Sequence, residues 1–432
     1  MDHFNYINGR LQCEGVTAET IADTYGTPVY VYSKATLLDH YSRIQTAFAE
    51  VNPLICYSVK SCANLTVCRT LVDAGAGLDV VSGGELHRAC AAGCNPQLIV
   101  YAGVGKTDAE IRLALKERIG LLNVESEAEF ENLARIARQE SVPCQCALRV
   151  NPDVDPLTHR YTSTGNKETK FGVDIERALA FFRKYGRDSH VRLVGLHLHL
   201  GSPIYSTEPY VSGITKALAL RNTLHQEGFN VQVLDIGGGF GADYTTGRSP
   251  NAKQYADAIV PLLREPVSQG MRVILEPGRS IAANAGILLT RVVYMKTSGD
   301  KTFAICDAGM NTLLRPSHYE AFHFMWAAHP KDGFVPPARA EVPDLKGLKP
   351  MDVVGPLCET GDFLALDRMM PPLERGDVLA IFTAGAYGMS MASRYNSSPL
   401  PAEVMVDGDR CTVIRRRETY ADITAHELNP QT

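Results

Sequence analysis

Along the first two thirds of the chain, short apolar runs alternate with longer stretches in which apolar residues recur every three or four positions. The first pattern is that of a buried strand and the second that of an amphipathic helix. The pattern predicts strands over 53–59, 77–81, 97–102, 120–124, 145–150, 191–198, 231–236 and 272–275. Helical stretches such as 64–74, 84–92, 108–116 and 126–139 lie between them. Ser126 and Glu129 have the spacing of a capping box at the start of the last of these. Eight strands separated by helices predict an α/β fold, a (β/α)8 TIM barrel, with a doubly wound open sheet as the alternative.

The cadence changes after Arg279. Segments 286–295, 301–307, 377–382, 402–406 and 411–415 alternate and are bounded by turn residues, which predicts mostly antiparallel strands. Strand-like pieces at 4–7 and 29–32 are expected to join the same β domain, making it discontinuous. The expected organisation is a barrel over 34–280 and a C-terminal antiparallel β domain over 281–432, completed by residues 1–33. Segment 329–350, with many Pro, Lys and Gly residues, reads as a surface excursion. Segment 153–171 is too long for a strand-to-helix turn and is expected to be a mobile lid, with 163–167 at its centre.

Composition acts mainly by exclusion. Lys and Arg number 43 against 48 Asp and Glu, a net charge of −5 over 432 residues, so a basic nucleic-acid platform is not expected. No apolar run approaches the length of a membrane span, and the first residues lack the pattern of a secretory leader. The 11 cysteines are scattered, without the paired spacing of a zinc site, and read as reduced thiols of a cytoplasmic protein.

In a barrel the chemistry sits where the strands end. Lys60 follows the first predicted strand, Asp79 lies near the end of the second, and Arg149 closes the fifth. His197 and His199 end the sixth, followed by Gly201 and Ser202. Gly237, Gly238 and Gly239 end the seventh, and Glu276-Pro277-Gly278-Arg279 the eighth. A lysine after a strand is usually a solvated charge, but one behind an apolar run is a candidate for desolvation and Schiff-base chemistry. His197 and His199 have the spacing of metal ligands on one strand face, yet only Asp79 and Glu276 offer further ligands, so metal is the weaker reading. Three glycines leave backbone N–H groups bare, which suits a phosphate, while Gly-Gly-Gly-Phe-Gly lacks the dinucleotide spacing. One lysine, one phosphate cradle, one acid and one flat histidine together point to a phosphorylated aldehyde cofactor.

Seven segments in one order carry a resemblance that spans nearly the whole chain. They are Tyr57-Ser58-Val59-Lys60, Gly77-Leu78-Asp79-Val80-Val81-Ser82, His197-Leu198-His199-Leu200-Gly201-Ser202, Gly237-Gly238-Gly239-Phe240, Glu276-Pro277-Gly278-Arg279, Cys358-Glu359-Thr360-Gly361-Asp362 and Gly385-Ala386-Tyr387-Gly388. The chain resembles the fold-type III pyridoxal-phosphate decarboxylases, whose architecture is alanine-racemase-like. It departs from the family's Y-A-V-K-A-N at Ser58, Ser61 and Cys62, and from its Y-N-S-R-P at Ser398.

The resemblance implies pyridoxal 5′-phosphate as cofactor and Lys60 as its anchor, with Asp79 orienting the lysine. It implies that His199 lies flat on the cofactor ring, with Arg149 supporting the ring hydroxyl or His199. Gly237, Gly238, Gly239, Ser202, Gly278, Arg279 and Tyr387 are expected to hold the phosphate, and Glu276 to face the pyridine nitrogen. Cys358 is the implied proton donor. Arg279, Arg315 and Tyr319 are the implied site for a far carboxylate, Glu359 for a far amine, and Tyr387 borders the substrate. The implied reaction is decarboxylation of meso-2,6-diaminopimelate to L-lysine and CO2. Ornithine, lysine, arginine or a carrier-bound amino acid is the alternative substrate, although a diamine product would leave Arg315 without a partner. Glu276 argues against a racemase, because related racemases place an arginine there. The resemblance further implies an obligate homodimer in which the Cys358 segment reaches the partner's barrel.

Overall fold

The computed structural model describes residues 2–155, 158, 169–331 and 333–428. Most of the expected lid, including 163–167, lies outside the described residues. The chain divides into two compact units, 40–241 with 249–280, and 1–39 with 242–248 and 281–432. Compared with the division expected from the sequence, residues 34–39 and 242–248 cluster with the β unit rather than with the barrel.

The barrel strands are β1 (Leu54–Ser58), β2 (Gly77–Val80), β3 (Ile99–Tyr101), β4 (Leu121–Val124), β5 (Cys144–Asn151), β6 (Val191–His197), β7 (Val233–Asp235) and β8 (Arg272–Leu275). Each pairs in parallel with the next, and β8 pairs in parallel with β1, so the sheet closes and the open-sheet alternative falls. Parallel neighbours need crossover helices, which is why the apolar runs alternate with amphipathic stretches. Caps start several of these helices. Asn64 accepts from Thr66 N–H, Ser82 from Glu85 N–H, and Thr107 forms a full capping box with Glu110. The box expected of Ser126 and Glu129 forms only in half. Ser126 Oγ accepts from Glu129 N–H at 3.2 Å, but the Glu129 carboxylate is drawn to Lys106 at 2.7 Å and to the backbone N–H of Glu125 at 2.8 Å.

The barrel interior is layered. Cys56, Val100, Leu121, Ala147, Val194, Val233 and Ile274 form a buried apolar plug. Two residues further along five of these strands stand Ser58, Asn123, Arg149, Asp235 and Glu276, all buried. Side chains alternate along a strand, so a step of two keeps the same inward face and exchanges an apolar layer for a polar one. On β6 the register against β5 shifts between Leu193 and Gly195. That bulge reverses the alternation, so Val194 packs in the plug and His197, three residues on, still faces inward.

The second unit is built on the long strand Gly286–Ser298, antiparallel to Val29–Ser33, Lys301–Cys306 and Val378–Ile381. Ala402–Asp407 runs parallel to Val29–Ser33 and carries Arg410–Arg415 as an antiparallel edge. The N-terminal piece Phe4–Ile7 belongs to this unit, as expected, but lies outside its main sheet. It pairs with Arg10–Cys13, which pairs with Val16–Thr17, in a small sheet of its own. Trp326, fully buried, stacks on Phe324, which meets Phe382, and these rings form a core the sequence pattern did not mark. Segment 329–350 is tied down by Arg339, which pairs with Asp2 and donates to the carbonyl of Phe4. Among the described residues, no helix is long and apolar enough to cross a membrane.

Candidate active site

At the C-terminal rim of the barrel, Lys60 follows β1 in a single turn of 3-10 helix that lifts the chain from the strand. Its ammonium lies 3.0 Å from Asp79 Oδ2, which also accepts from Ser58 Oγ at 2.5 Å. Asp79 is fully buried while Lys60 keeps 30% of its side chain open, so the acid is fixed and the lysine reachable. Burial and the nearby Glu276 charge push the Asp79 carboxyl up, and Lys60 pulls it back. The Asp79 Oδ1 atom is buried and has no hydrogen-bond partner among the described residues.

Across the rim, Glu276 directly follows β8. Its Oε2 lies 3.4 Å from His197 Nε2 and 3.9 Å from His199 Nδ1. Burial would raise the Glu276 carboxyl, but the adjacent His197 ring and the Lys60 charge outweigh it and hold it below the usual range. Its other oxygen, Oε1, is buried without a hydrogen-bond partner among the described residues. His199 is pushed far down by burial and by the Lys60 and Arg149 charges, so its ring is neutral. The Gly238 N–H points at His199 Nδ1 at 3.4 Å, which makes Nδ1 the acceptor and leaves the proton on Nε2.

The triglycine turn is required by sterics. A Cβ on Gly237, Gly238 or Gly239 would lie 2.3, 2.2 or 2.4 Å from the carbonyl oxygens of Leu198, Glu276 and Gly201 respectively. Gly237 and Gly239 also have φ of +69° and +96°. The expectation that these glycines offer bare N–H groups is corrected in part. Gly237 N–H donates to Asp235 Oδ1 at 2.9 Å, and Gly238 N–H is directed at His199. Beside the turn, Arg279 Nε donates to Ser202 Oγ at 3.0 Å. A Cβ on Gly278 would meet Ser58 Cβ at 2.9 Å, so the chain after Glu276 passes close over the end of β1.

Thus the barrel brings together Lys60, Asp79, His199, Ser202, Gly237, Gly238, Gly239, Glu276, Gly278 and Arg279. Arg149, considered for the ring hydroxyl or His199, lies near enough to His199 for its charge to lower that ring's pKa. Its Nη1 lies 3.0 Å from both Glu125 oxygens, and its guanidinium stacks on Phe171 at 4.6 Å. The two histidines considered for metal both face Glu276 Oε2, but only His197 joins it and Asp235 in one close trio. His197 is buried with Asp235 and Glu276, while His199 stands over the triglycine turn.

The remaining expected residues lie in the second unit, in separate clusters. Arg315 and Tyr319 occupy the short helix Arg315–Tyr319. The Arg315 guanidinium lies over the rings of Tyr244 and Tyr319, at 5.4 and 5.6 Å, and its Nε donates to His323 Nε2 at 3.3 Å. Tyr387 sits at φ +56° in a turn whose flanking glycines leave no room for a Cβ. Cys358 and Glu359 are exposed on a turn that Asp362 ties down, accepting from the N–H groups of Met310 and Leu357 at 2.6 Å. Asn396 Nδ2 lies 3.1 Å from Cys358 Sγ, and Tyr395 Oη donates to Glu359 at 2.7 Å.

Sequence reasoning missed Asn123, Glu125, Asp235, Tyr244, His323 and Glu85, whose carboxyl burial pushes up to about 7 beside Asp79 and Lys60. Asp235 was the most legible of these, standing two residues before the triglycine run inside an apolar strand.

The barrel groups fit a pyridoxal-type cofactor. A reachable lysine, a buried carboxylate with one unpaired oxygen and a neutral ring lie around one rim, beside a turn into which no side chain fits. The sequence profile described as "Pyridoxal-dependent decarboxylase, pyridoxal binding domain" matches residues 34–283. The chain is 43% identical to the diaminopimelate decarboxylase of Pseudomonas aeruginosa, covering all of both chains. It is also 43% identical to that of Aquifex aeolicus, over 99% of this chain and 98% of the relative. Among solved structures, the Helicobacter pylori diaminopimelate decarboxylase complexed with L-lysine superposes with a TM-score of 0.88. It is 37% identical, over 95% of this chain and 99% of the other.

Proposed function

Because the chain belongs to the pyridoxal-dependent decarboxylases, and within them to the diaminopimelate decarboxylase family, we propose that it converts meso-2,6-diaminopimelate to L-lysine and CO2. The observation that carries this reading is the barrel rim. Lys60 is held by buried Asp79, and Glu276 is an ionised acid with one oxygen unpaired.

Lys60, Asp79, His199, Ser202, Gly237, Gly238, Gly239, Glu276, Gly278, Arg279 and Tyr387 are the residues that hold pyridoxal phosphate in this reading. Once bound, the cofactor supplies an electron sink for the bond to the departing carboxylate. Glu276 keeps the pyridine nitrogen protonated, since a buried carboxylate favours a positive charge against it. A neutral His199 covers one ring face without adding charge. Asp79 holds the Lys60 amine in place and draws its proton. The planar fork of Arg315, set by His323 and two tyrosine rings, suits a carboxylate, joined by Arg279 and Tyr319. Glu359, held by Tyr395, suits an ammonium. Cys358 delivers a proton to the carbon that loses CO2. Because Cys358 and Glu359 are exposed on the isolated chain, they serve the site of a second copy in a homodimer. All 11 cysteines are free thiols, which fits a reducing, cytoplasmic setting.

The purified protein, given pyridoxal phosphate, should show a visible absorption band and release CO2 and lysine from meso-diaminopimelate. A Lys60→Ala variant should show neither. A band with CO2 from another amino acid and none from diaminopimelate would replace the substrate. No band at all would overturn the reading.

A further inference from the structure

A guanidinium offers a carboxylate two edges. One is the end-on edge of Nη1 and Nη2, and the other is the side edge that includes Nε. Which edge Arg315 presents depends on what already holds its side chain. The helix Arg315–Tyr319 ends at Glu320, at φ +51°, and the chain doubles back, with the N–H groups of Glu320 and Ala321 returning to the Arg315 carbonyl. This return sets His323 beside Arg315. His323 is fully buried, and Arg315 is 7% exposed.

Both nitrogens of the His323 ring are engaged. Arg315 Nε donates to Nε2 at 3.3 Å, and Nδ1 lies 3.0 Å from the Phe382 carbonyl oxygen. These partners decide the tautomer. Arg315 Nε can only donate, so Nε2 accepts and carries no proton. A carbonyl can only accept, so Nδ1–H donates. The ring is therefore neutral with both nitrogens satisfied, and a proton on Nε2 would set two N–H groups against each other. The backbone is fixed as well. Arg368 Nη1 donates to the His323 carbonyl at 2.8 Å, with its guanidinium over the Phe322 ring at 4.2 Å. The Tyr244 ring meets the imidazole edge-on at 5.2 Å and lies 5.4 Å from the Arg315 guanidinium. All of these residues belong to one compact unit.

We propose that His323 is a positioning residue that closes the Nε edge of Arg315, so that the far carboxylate of the substrate binds end-on to Nη1 and Nη2. The idea deepens the proposed function and rests on it, because that reading brings the far carboxylate to Arg315. A neutral acceptor suits the task. It orients the arginine without cancelling its charge, which an acid in the same place would do. A guanidinium free to rock on its stem would have to be ordered when the carboxylate arrives. With Nε tied, that ordering is complete beforehand. Loss of one CO2 from diaminopimelate leaves the far carboxylate on the lysine product, so the grip is the same before and after the reaction. Such uniform binding acts on KM rather than on kcat.

The test uses the full chain loaded with pyridoxal phosphate. His323→Asn keeps a donor for the Phe382 carbonyl and removes the acceptor from Arg315 Nε. It should raise KM for meso-diaminopimelate by roughly 10- to 100-fold and leave kcat within about threefold. Inhibition by L-lysine, which carries the far carboxylate, should weaken by the same factor. Inhibition by 1,5-diaminopentane, which lacks that carboxylate, should change by at most about twofold. His323→Gln returns an acceptor near the Nε2 position and should recover most of the loss. Equal damage from Asn and Gln would mean that the ring only fills space. That result, equal weakening of both inhibitors, or an unchanged KM each overturns the inference, while wild-type CO2 release leaves the proposed function standing. A wild-type chain that releases no CO2 from diaminopimelate would instead sink the proposed function. Should both variants fail to fold, a crystal structure of the wild-type holoenzyme with L-lysine decides. A lysine carboxylate on Nη1 and Nη2, with His323 still on Nε, supports the inference. A carboxylate on Nε, or away from Arg315, overturns it.

Discussion

At the scale of single residues, the rim assigns different charge states to groups of the same type. Glu276 is held low by Lys60 and the adjacent His197 ring, while Glu85, about one turn into the next helix after Asp79, is pushed up by burial to about 7. Its Oε2 accepts from the backbone N–H of Val81 at 2.8 Å, so the carboxyl cannot turn out to solvent without giving up that bond. The folded chain therefore keeps a proton that the unfolded chain releases near its ordinary value of 4.5. The stability linked to this group is fully present below about 4.5 and is lost as pH rises through about 7. Glu85→Gln retains an acceptor for Val81 and has no proton to lose. Denaturant melts of the cofactor-free protein should show that the variant loses less stability across this window. At pH 8 it should exceed the wild type by roughly 1–3 kcal/mol. A variant that tracks the wild type at every pH would show that Glu85 titrates normally.

At the scale of elements, the barrel strands carry a two-step code. Cys56 leads to Ser58, Leu121 to Asn123, Ala147 to Arg149, Val233 to Asp235 and Ile274 to Glu276. The strands themselves were legible, because each is an apolar run between amphipathic helices, and 272–275 matches β8. The polar layer was legible only where a motif marked it, as at Lys60 and Glu276. Asn123, Glu125 and Asp235 carry no motif of their own, and their function appears only when neighbouring strands are set side by side. The bulge on β6 was not legible at all, since it is a property of register. Strands such as Lys349–Val354 and Phe363–Met370 were missed because exposed polar residues break their alternation. Glu125 shows what these hidden residues do. It links the ends of β4 and β5 through Arg149 and accepts from Gly103 N–H and Gly172 N–H, at 3.0 and 3.2 Å. Arg149→Met leaves this buried carboxylate without its cation and should cost about 3–5 kcal/mol. Adding Glu125→Gln removes the charge and keeps an acceptor for Gly103, so urea melts should find the double variant more stable than Arg149→Met alone. The reverse order would mean that the pair is held for packing rather than for charge.

At the scale of the whole molecule, the groups assigned to the reaction belong to two compact units. Lys60 and Glu276 are in the barrel, and Cys358 and Glu359 are on an exposed turn of the β unit. Two features argue that this turn is shaped for use. Asp362 fixes its backbone from within, and Tyr395 and Asn396 hold Glu359 and Cys358 from outside, with Asn396 and Ser397 both at positive φ. A solvated loop with no task would not need three side chains to set two exposed ones. If the turn serves a second copy, each site combines Lys60 from one chain with Cys358 from the other. Chains carrying Lys60→Ala and chains carrying Cys358→Ala should then be inactive or nearly so when alone. Mixed, unfolded and refolded together, they form hybrids in which one site holds both defects and the other neither. Random pairing makes about half of the dimers hybrids with one intact site of two, so activity should return to about a quarter of the wild-type value. The measurement is CO2 release against mixing ratio, with a maximum at equal amounts. A mixture that stays at the average of its two inactive parents would place Lys60 and Cys358 in the same chain's site.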